Sequence, residues 1–278
     1  MSRNRITHNS IFFPTGDDNM DMEKARQIIV EFIREKVSEA NAQGVVVGIS
    51  GGVDSALAAY LSVEALGKDK VLGIHLPELT LTSAEDVLDA TEVAHRLGIE
   101  FRAIDISGIL STYFHNIPEE DKATQHAKGN LKARIRMSVL YYYANLLNRL
   151  VVGTGNKTEL LLGYFTKYGD GGVDILPIGD LYKTDVWELS VLIGIPEPII
   201  HKAPSAGLWS DQTDEKELGI TYKELDAFLS LILEGETPEV ARNTIGITKE
   251  QAHSVLHRIK INSHKLKTPE IASLRHLR

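Results

Sequence analysis

The junction at residues 45–66 constrains the fold more than any other feature. Val45-Val46-Val47-Gly48-Ile49 is a short, apolar, mostly β-branched run, the composition of a strand buried in a parallel sheet. Gly51-Gly52 ends it. Asp54 to Leu66 is then rich in Ala and Leu and predicts a helix closed by Gly67. The rhythm recurs: Val71–Leu76, Phe101–Ile106 and Leu150–Thr154 read as strands, and Ser83–Leu97 and Asn130–Leu147 as helices. Ahead of them, Ile29, Phe32, Ile33, Val37 and Ala40 recur at helical spacing within Met22–Gln43. This alternation predicts an α/β fold, a doubly wound, mostly parallel, five-stranded sheet with helices on both faces. Ligands of such sheets sit outside the C-terminal ends of the strands.

The second half is less regular. Gly163–Asp185 is dense in Gly, Asp and aromatics and reads as a working loop. Ala203–Glu217 is polar, with Pro204 and Gly207 near its start. Thr221–Leu233 and Thr248–Ile261 read as helices, and Thr237-Pro238-Glu239 is a helix start. With no internal repeat, the 278 residues are expected to form one domain, with an N-terminal extension over 1–21 and a basic tail over 266–278.

Gly48-Ile49-Ser50-Gly51-Gly52-Val53-Asp54-Ser55 is the candidate phosphate site. Glycines allow positive φ, so backbone N–H groups can crowd round an anion at a helix N-terminus. Ser50 and Ser55 add hydroxyl donors. A Walker loop needs a Lys after its last glycine, and this turn has Val53-Asp54. A Rossmann turn needs G-x-G-x-x-G and an acid after the second strand, where the chain has His75-Leu76-Pro77. His75 itself reads as a structural histidine. An acid at Asp54 repels phosphate unless a cation lies between them, which predicts Mg²⁺.

The chemistry is narrowed by what is missing. There is no cysteine, so no thiol nucleophile, thiolate metal site or persulfide relay comes from this chain. Net charge is -8, which argues against a general nucleic-acid partner. Met1–Asn19 lacks the apolar core of a signal peptide, and no stretch approaches the roughly 20 apolar residues of a membrane span. A cytoplasmic protein without membrane contact is expected.

Ser50-Gly51-Gly52-Val53-Asp54-Ser55 resembles the SGGxDS loop of the ATP pyrophosphatase superfamily, whose fold is adenine nucleotide alpha hydrolase-like. Three further strings resemble ammonia-dependent NAD synthetase. They are Gly129-Asn130-Leu131-Lys132-Ala133-Arg134-Ile135-Arg136-Met137, the stretch from Gly153-Thr154-Gly155-Asn156-Lys157-Thr158-Glu159 through Phe165-Thr166-Lys167-Tyr168-Gly169-Asp170-Gly171-Gly172-Val173-Asp174, and Leu181-Tyr182-Lys183-Thr184.

That resemblance implies synthesis of NAD from deamido-NAD, ATP and ammonia, through an acyl adenylate and pyrophosphate. It implies that the turn 48–55, Thr154, Lys183 and Ser205 contact ATP, and that Asp54 and Glu159 hold Mg²⁺. Arg134, Lys167, Asp174, His264 and Lys265 are implied for deamido-NAD. The family usually carries Thr at the position of Ser205. It often continues Arg-Arg-Pro-Pro where this chain reads Leu266-Lys267-Thr268-Pro269. Asp54, Lys183 and Asp174 are the expected catalytic groups, with Asp170 or Asp174 handling ammonium. Two polyphosphate substrates also need local cations, and Lys157 and Arg136 join Arg134, Lys167 and Lys183 near the predicted strand ends. A homodimer is implied, and Tyr141-Tyr142-Tyr143 has more aromatic faces than one core contact absorbs. Lacking a Cys nucleophile, the chain should use free ammonia or ammonia from a separate glutaminase chain. The rival reading is a nucleotide-binding regulatory module, which needs the turn but no paired acid and no Lys183.

Overall fold

A computed structural model describes residues 20–118, 120–209 and 212–274. The extension over 1–21 therefore lies almost wholly outside the described residues, and the basic tail is described only as far as residue 274.

The chain opens with α1 (Met22–Glu39), then β1 (Val45–Gly48), α2 (Val53–Leu66), β2 (Val71–His75), α3 (Ala84–Leu97), β3 (Glu100–Ala103) and α4 (Ser107–His115). It continues through α5 (Gln125–Leu147), β4 (Leu150–Val152), α6 (Lys157–Leu162), α7 (Lys183–Leu192) and α8 (Glu197–His201). The helices α9 (Asp214–Leu218), α10 (Tyr222–Leu233), α11 (Pro238–Ile245) and α12 (Lys249–Asn262) complete it. Helix α5 begins ahead of the expected Asn130 because the Thr124 hydroxyl caps it, accepting from Ala127 N at 3.1 Å.

All strand pairs are parallel, in the order β3-β2-β1-β4. The sheet has four strands among the described residues, and the expectation of five is corrected. Where a fifth strand would run, Ile175 makes only an isolated parallel bridge to Val152. The segment reaches the sheet edge from the Gly171-Gly172 turn and meets Pro177 at once. Proline has no N–H to extend a ladder.

Alternation along β1 sorts the helices onto both faces. Val45 and Val47 pack with Ile33 of α1, Leu57 of α2 and Val186 of α7. Val46 packs on the other face with Leu72, Ile74, Leu110 of α4 and Ala144 of α5. Each of these β1 valines is fully buried, at about 1.5–3 kcal/mol apiece, so a one-residue register slip would forfeit the core. Leu162 of α6 packs instead with Tyr222, Leu225 and Phe228 of α10 and Ala252 and Val255 of α12. This helical layer packs on α6, which starts past the C-terminal end of β4, and on α7.

Candidate active site

The phosphate turn is built from its own eight residues. Gly51 has φ +94, and α2 starts at Gly52, which offers no side chain to cap the helix. Its first amides are left for an outside acceptor. Ser55 Oγ accepts from Ser50 N at 3.1 Å, lies 3.0 Å from Ser50 Oγ and donates to Gly52 O at 2.9 Å. Gly52 N donates to Ser50 Oγ at 3.2 Å. Ser55 is buried while Ser50 is exposed at the mouth. Ile49 is anchored beneath, its N–H on Ile74 O at 2.9 Å and its carbonyl 2.8 Å from His75 Nδ1. Burial lowers the His75 pKa, which keeps the ring neutral and fits a structural histidine.

No side chain is tolerated at Gly51. A Cβ there would lie 2.5 Å from Asp86 O. Gly51→Ala should therefore lower the denaturation midpoint more than Gly98→Ala. Gly98 also has positive φ (+62), but its nearest obstacle is the flexible Lys68 Cδ at 3.6 Å. Backbone strain alone costs roughly 1–2 kcal/mol. Equal losses in urea melts of the two variants would show that the Asp86 contact is soft.

Asp54, Asn156, Glu159 and Lys183 converge beside the turn. Lys183 Nζ donates to Asp54 Oδ2, and Asn156 Nδ2 donates to Asp54 Oδ1 at 2.9 Å. Asn156 also caps α6. Its Oδ1 accepts from Glu159 N at 3.0 Å, and Glu159 Oε2 accepts from Asn156 N at 3.1 Å, a reciprocal capping box. One fully buried amide thus ties the two acids expected to bind metal. Asn156 was absent from the expected site residues, although its N-cap spacing to Glu159 was a visible signal.

Lys183 is 2% exposed, with the Tyr222 ring centroid 5.4 Å from Nζ. Burial lowers its pKa, but Asp54 and Glu159 outweigh burial and leave it raised. The ammonium therefore stays charged. Glu159 keeps some solvent access, yet protein crowds it from all sides. Desolvation first and the Asp54 charge second push its carboxyl well above the usual range, against the opposing pull of Lys183. Asp214 stands nearby, accepting from Tyr222 OH at 2.9 Å and Tyr164 OH at 3.2 Å. Asp54, Glu159 and Asp214 set three acids against one lysine, which leaves the spot short of positive charge. Hard carboxylate oxygens with that deficit fit Mg²⁺, whose remaining ligands would come from phosphate and water.

Thr154 is half-buried just past β4, and Ser205 lies exposed in the segment before α9, its Oγ accepting from Gly207 N at 3.1 Å. That segment is moored to the turn by Lys202, which sequence reasoning passed over. Lys202 Nζ donates to Gly51 O at 3.2 Å and to Asp86 Oδ1 at 2.9 Å, and pairs with Asp89.

Of the residues expected to hold deamido-NAD, Arg134, Lys167, His264 and Lys265 gather round residues 163–170, while Asp174 lies apart against α5 and β4. Arg134 Nε donates to Lys167 O at 3.3 Å, and Lys167 Nζ to His264 O at 2.9 Å. Lys265 Nζ donates to Gly163 O at 2.7 Å and Phe165 O at 2.9 Å. Asp174 engages both carboxylate oxygens, taking Tyr141 OH at 2.9 Å and Val151 N at 2.7 Å. Asp170 accepts from Thr166 N at 2.9 Å, open to solvent by area but packed about with protein, and that crowding raises its pKa. Two expected cations face elsewhere. Lys157 pairs with Asp180 at 2.9 Å over the Tyr182 ring, and Arg136 Nε donates to Leu76 O at 3.0 Å.

The model of the family described as NAD synthase matches residues 25–269, from the first turn of α1 to the tail. The chain belongs to the NAD synthase family. It is 58% identical to the NH(3)-dependent NAD(+) synthetase of Methanosarcina mazei, over 92% of this chain and 100% of that one. Among solved structures it resembles the NMN synthetase of Francisella tularensis, with TM-score 0.82, 34% identity and coverage of 92% and 100%. It also resembles the NH3-dependent NAD synthetase of Campylobacter jejuni in complex with nitrate, with TM-score 0.76, 33% identity and coverage of 91% and 100%. An NAD synthase must bring two phosphate-bearing substrates together. The turn beside Lys183 and the cations round residues 163–170 form two separate sets of groups in this chain.

Proposed function

We infer that this chain is an ammonia-dependent NAD synthetase. It adenylates the nicotinate carboxylate of deamido-NAD with ATP, releases pyrophosphate, and amidates the acyl adenylate to give NAD and AMP. Besides family membership, one observation carries the reading: Lys183, buried and charged, held on Asp54 at the exit of the phosphate turn.

The turn 48–55 holds the outer phosphates on its amides and serine hydroxyls. Attack of the carboxylate oxygen on the α-phosphorus drives charge onto the departing pyrophosphate, and Lys183 meets it. Thr154 and Ser205 bind the rest of ATP. Asp54 and Glu159 would hold Mg²⁺, which when bound neutralises phosphate charge. Arg134, Lys167, His264 and Lys265 take the deamido-NAD phosphates and ribose, with Asp174 fixing the edge of β4. Asp170 or Asp174 handles ammonium; both carboxylates already accept hydrogen bonds, and desolvation raises the pKa of Asp170. A carboxylate with a raised pKa takes a proton from ammonium more readily than an ordinary one, freeing ammonia to attack the carbonyl.

A homodimer and a cytoplasmic location belong to the same proposal. Tyr142 and Leu146 on α5, and Ile109 and Tyr113 on α4, leave apolar surface exposed that a second copy would cover. Among the described residues no helix is long and apolar enough to cross a membrane.

The test is mass detection of NAD from deamido-NAD, ATP, Mg²⁺ and ammonium. NAD and pyrophosphate should form in equal amounts, and pyrophosphate release should require deamido-NAD. ATP binding without release would favour the regulatory module. Glutamine alone should yield no NAD, and a good yield would refute the ammonia assignment. Because the Francisella relative is named for NMN synthesis, nicotinate mononucleotide is run in parallel. Faster turnover of the mononucleotide would reassign the substrate while leaving the chemistry in place.

A further inference from the structure

Lys183 is the first residue of α7, and a helix start frays unless something outside the helix holds it. Asp185 of the same turn accepts from Tyr182 N at 2.8 Å, and the rest of the hold comes from two other helices. Lys183 N donates to Thr158 Oγ1 of α6 at 3.1 Å. Thr158 Oγ1 donates to Asp226 Oδ1 of α10 at 2.5 Å. Asp226 Oδ2 accepts from Thr184 N at 2.9 Å and from Thr184 Oγ1 at 3.0 Å, which closes the circuit back on α7. Thr158 is 0% and Asp226 4% exposed.

This arrangement places one buried acid at the meeting point of both functional helices. Helix α6 carries Glu159, the neighbour of Thr158, and α7 carries Lys183. Tyr222 precedes Asp226 by one helical turn and so shares its face of α10. The Tyr222 ring lies against the Lys183 ammonium at 5.4 Å, and its hydroxyl bonds Asp214. Helix α10 therefore reaches the catalytic lysine in two ways, Tyr222 directly at the side-chain tip and Asp226 indirectly, through Thr158 and the adjacent Thr184. An acid on the apolar face of a buried helix is costly to keep unless its hydrogen bonds are complete. Three donors complete them, and all three belong to residues flanking Lys183 or Glu159.

We propose that Asp226, acting through Thr158 and Thr184, is a positioning residue for the adenylation step: it fixes where the Lys183 ammonium stands over Asp54. The proposal rests on the reading of Lys183 as the group that meets the departing pyrophosphate. Asp226 touches no substrate. Its removal should therefore act on the transition state through a displaced Lys183 and leave substrate binding nearly intact. A plain structural role would lower stability and leave the turnover of the folded enzyme alone.

The experiment compares Thr158→Val, Thr158→Ser, Asp226→Asn and the Thr158→Val/Asp226→Asn double variant with wild type. It measures Tm, and kcat and KM for deamido-NAD-dependent pyrophosphate release. Valine keeps the shape of threonine and removes the hydroxyl. It should lower kcat about 10–100-fold, the usual effect of losing a partner that orients a reactive group. KM for ATP should stay within about threefold, because the lost interaction is one of the transition state. Serine should restore most of kcat. The double variant should be little worse than the worse single one, because both cut the same link. A lowered Tm with wild-type kcat in Thr158→Val and Asp226→Asn would overturn the proposal, and so would multiplying losses in the double variant. If Asp226→Asn fails to fold, the Val/Ser pair at Thr158 decides by the same kcat readout. Absence of pyrophosphate release from the wild type is a separate result and would strike the functional reading itself.

Discussion

Lys183→Met should abolish most of the adenylation rate, slowing pyrophosphate release by about 10²–10³-fold at saturating ATP. Methionine fills a similar volume, so the site loses charge rather than packing. Two consequences follow from the position of the ammonium. It is the cation bonded to Asp54, and its removal leaves the carboxylates of Asp54 and Glu159 facing each other without the lysine. Incoming phosphates then meet net negative charge at the turn. Lys183→Arg should not rescue the rate. Guanidinium is larger and flat, the pocket is 2% exposed, and Tyr222 already occupies one side. Breaking a fully buried ion pair costs about 3–5 kcal/mol. The Asp54 side chain is 18% exposed, so water recovers part of that and the Tm loss should be moderate. Rapid-quench measurement of pyrophosphate from ATP and deamido-NAD reads the step directly. A wild-type burst in Lys183→Met would remove the lysine from the chemistry.

The features legible from sequence were those whose parts lie close along the chain. The phosphate turn needs only residues 48–55, and strand composition announces where it sits. The Asn156–Glu159 capping box is equally local. The loop expected over Gly163–Asp185 overlaps the start of α7, a helix that has no amphipathic stripe. Lys183, Val186, Leu189 and Ser190 are all buried, so polar and apolar residues share its inner face. Partnerships across long separations were out of reach. Lys183 and Asp54 are 129 positions apart, and Thr158 and Asp226 are 68 apart. The sequence does show Asp226 between Leu225 and Phe228 on a helix whose apolar face is buried. That is the mark of an acid with a hidden partner, but only the fold names the partner. The missing fifth strand shows the opposite failure. The strand–helix alternation suggests a fifth strand, and Pro177, which has no N–H for a ladder, stops it after one bridge.

Glu159→Gln should have two effects of opposite sign. It should cost about 10²-fold in pyrophosphate release, as expected when a site loses one of the groups that stabilise transition-state charge. Without Mg²⁺ it should also make the protein more stable at neutral pH. Glutamine can still accept from Asn156 N, so the capping box that starts α6 survives. What disappears is a carboxylate that the fold does not welcome. Burial first, and Asp54 second, raise the folded-state pKa of Glu159 well above its ordinary 4.5. Between those two values the folded protein binds more protons than the unfolded chain, so stability falls as pH rises through that window and stays reduced above it. Glutamine carries no such proton. The Tm difference, variant minus wild type, should be near zero below about pH 4.5, grow as pH rises, and level off once Glu159 is ionised in the folded state. Asp226 also has a raised pKa, at about 6, but it is common to both proteins and cancels in the difference. Asp214 does not cancel, because its charge is one of the causes that raise Glu159, and it adds to the same trend. Adding Mg²⁺ should then close the gap by raising the wild type alone. At a hundredfold excess over Kd a bound ion contributes about 2.7 kcal/mol. Melting curves from pH 4 to 9, with and without Mg²⁺, test both halves. Equal stabilisation of the two proteins by the ion would detach Glu159 from the metal. A variant less stable than wild type throughout would show that the carboxylate is held for the fold and not against it.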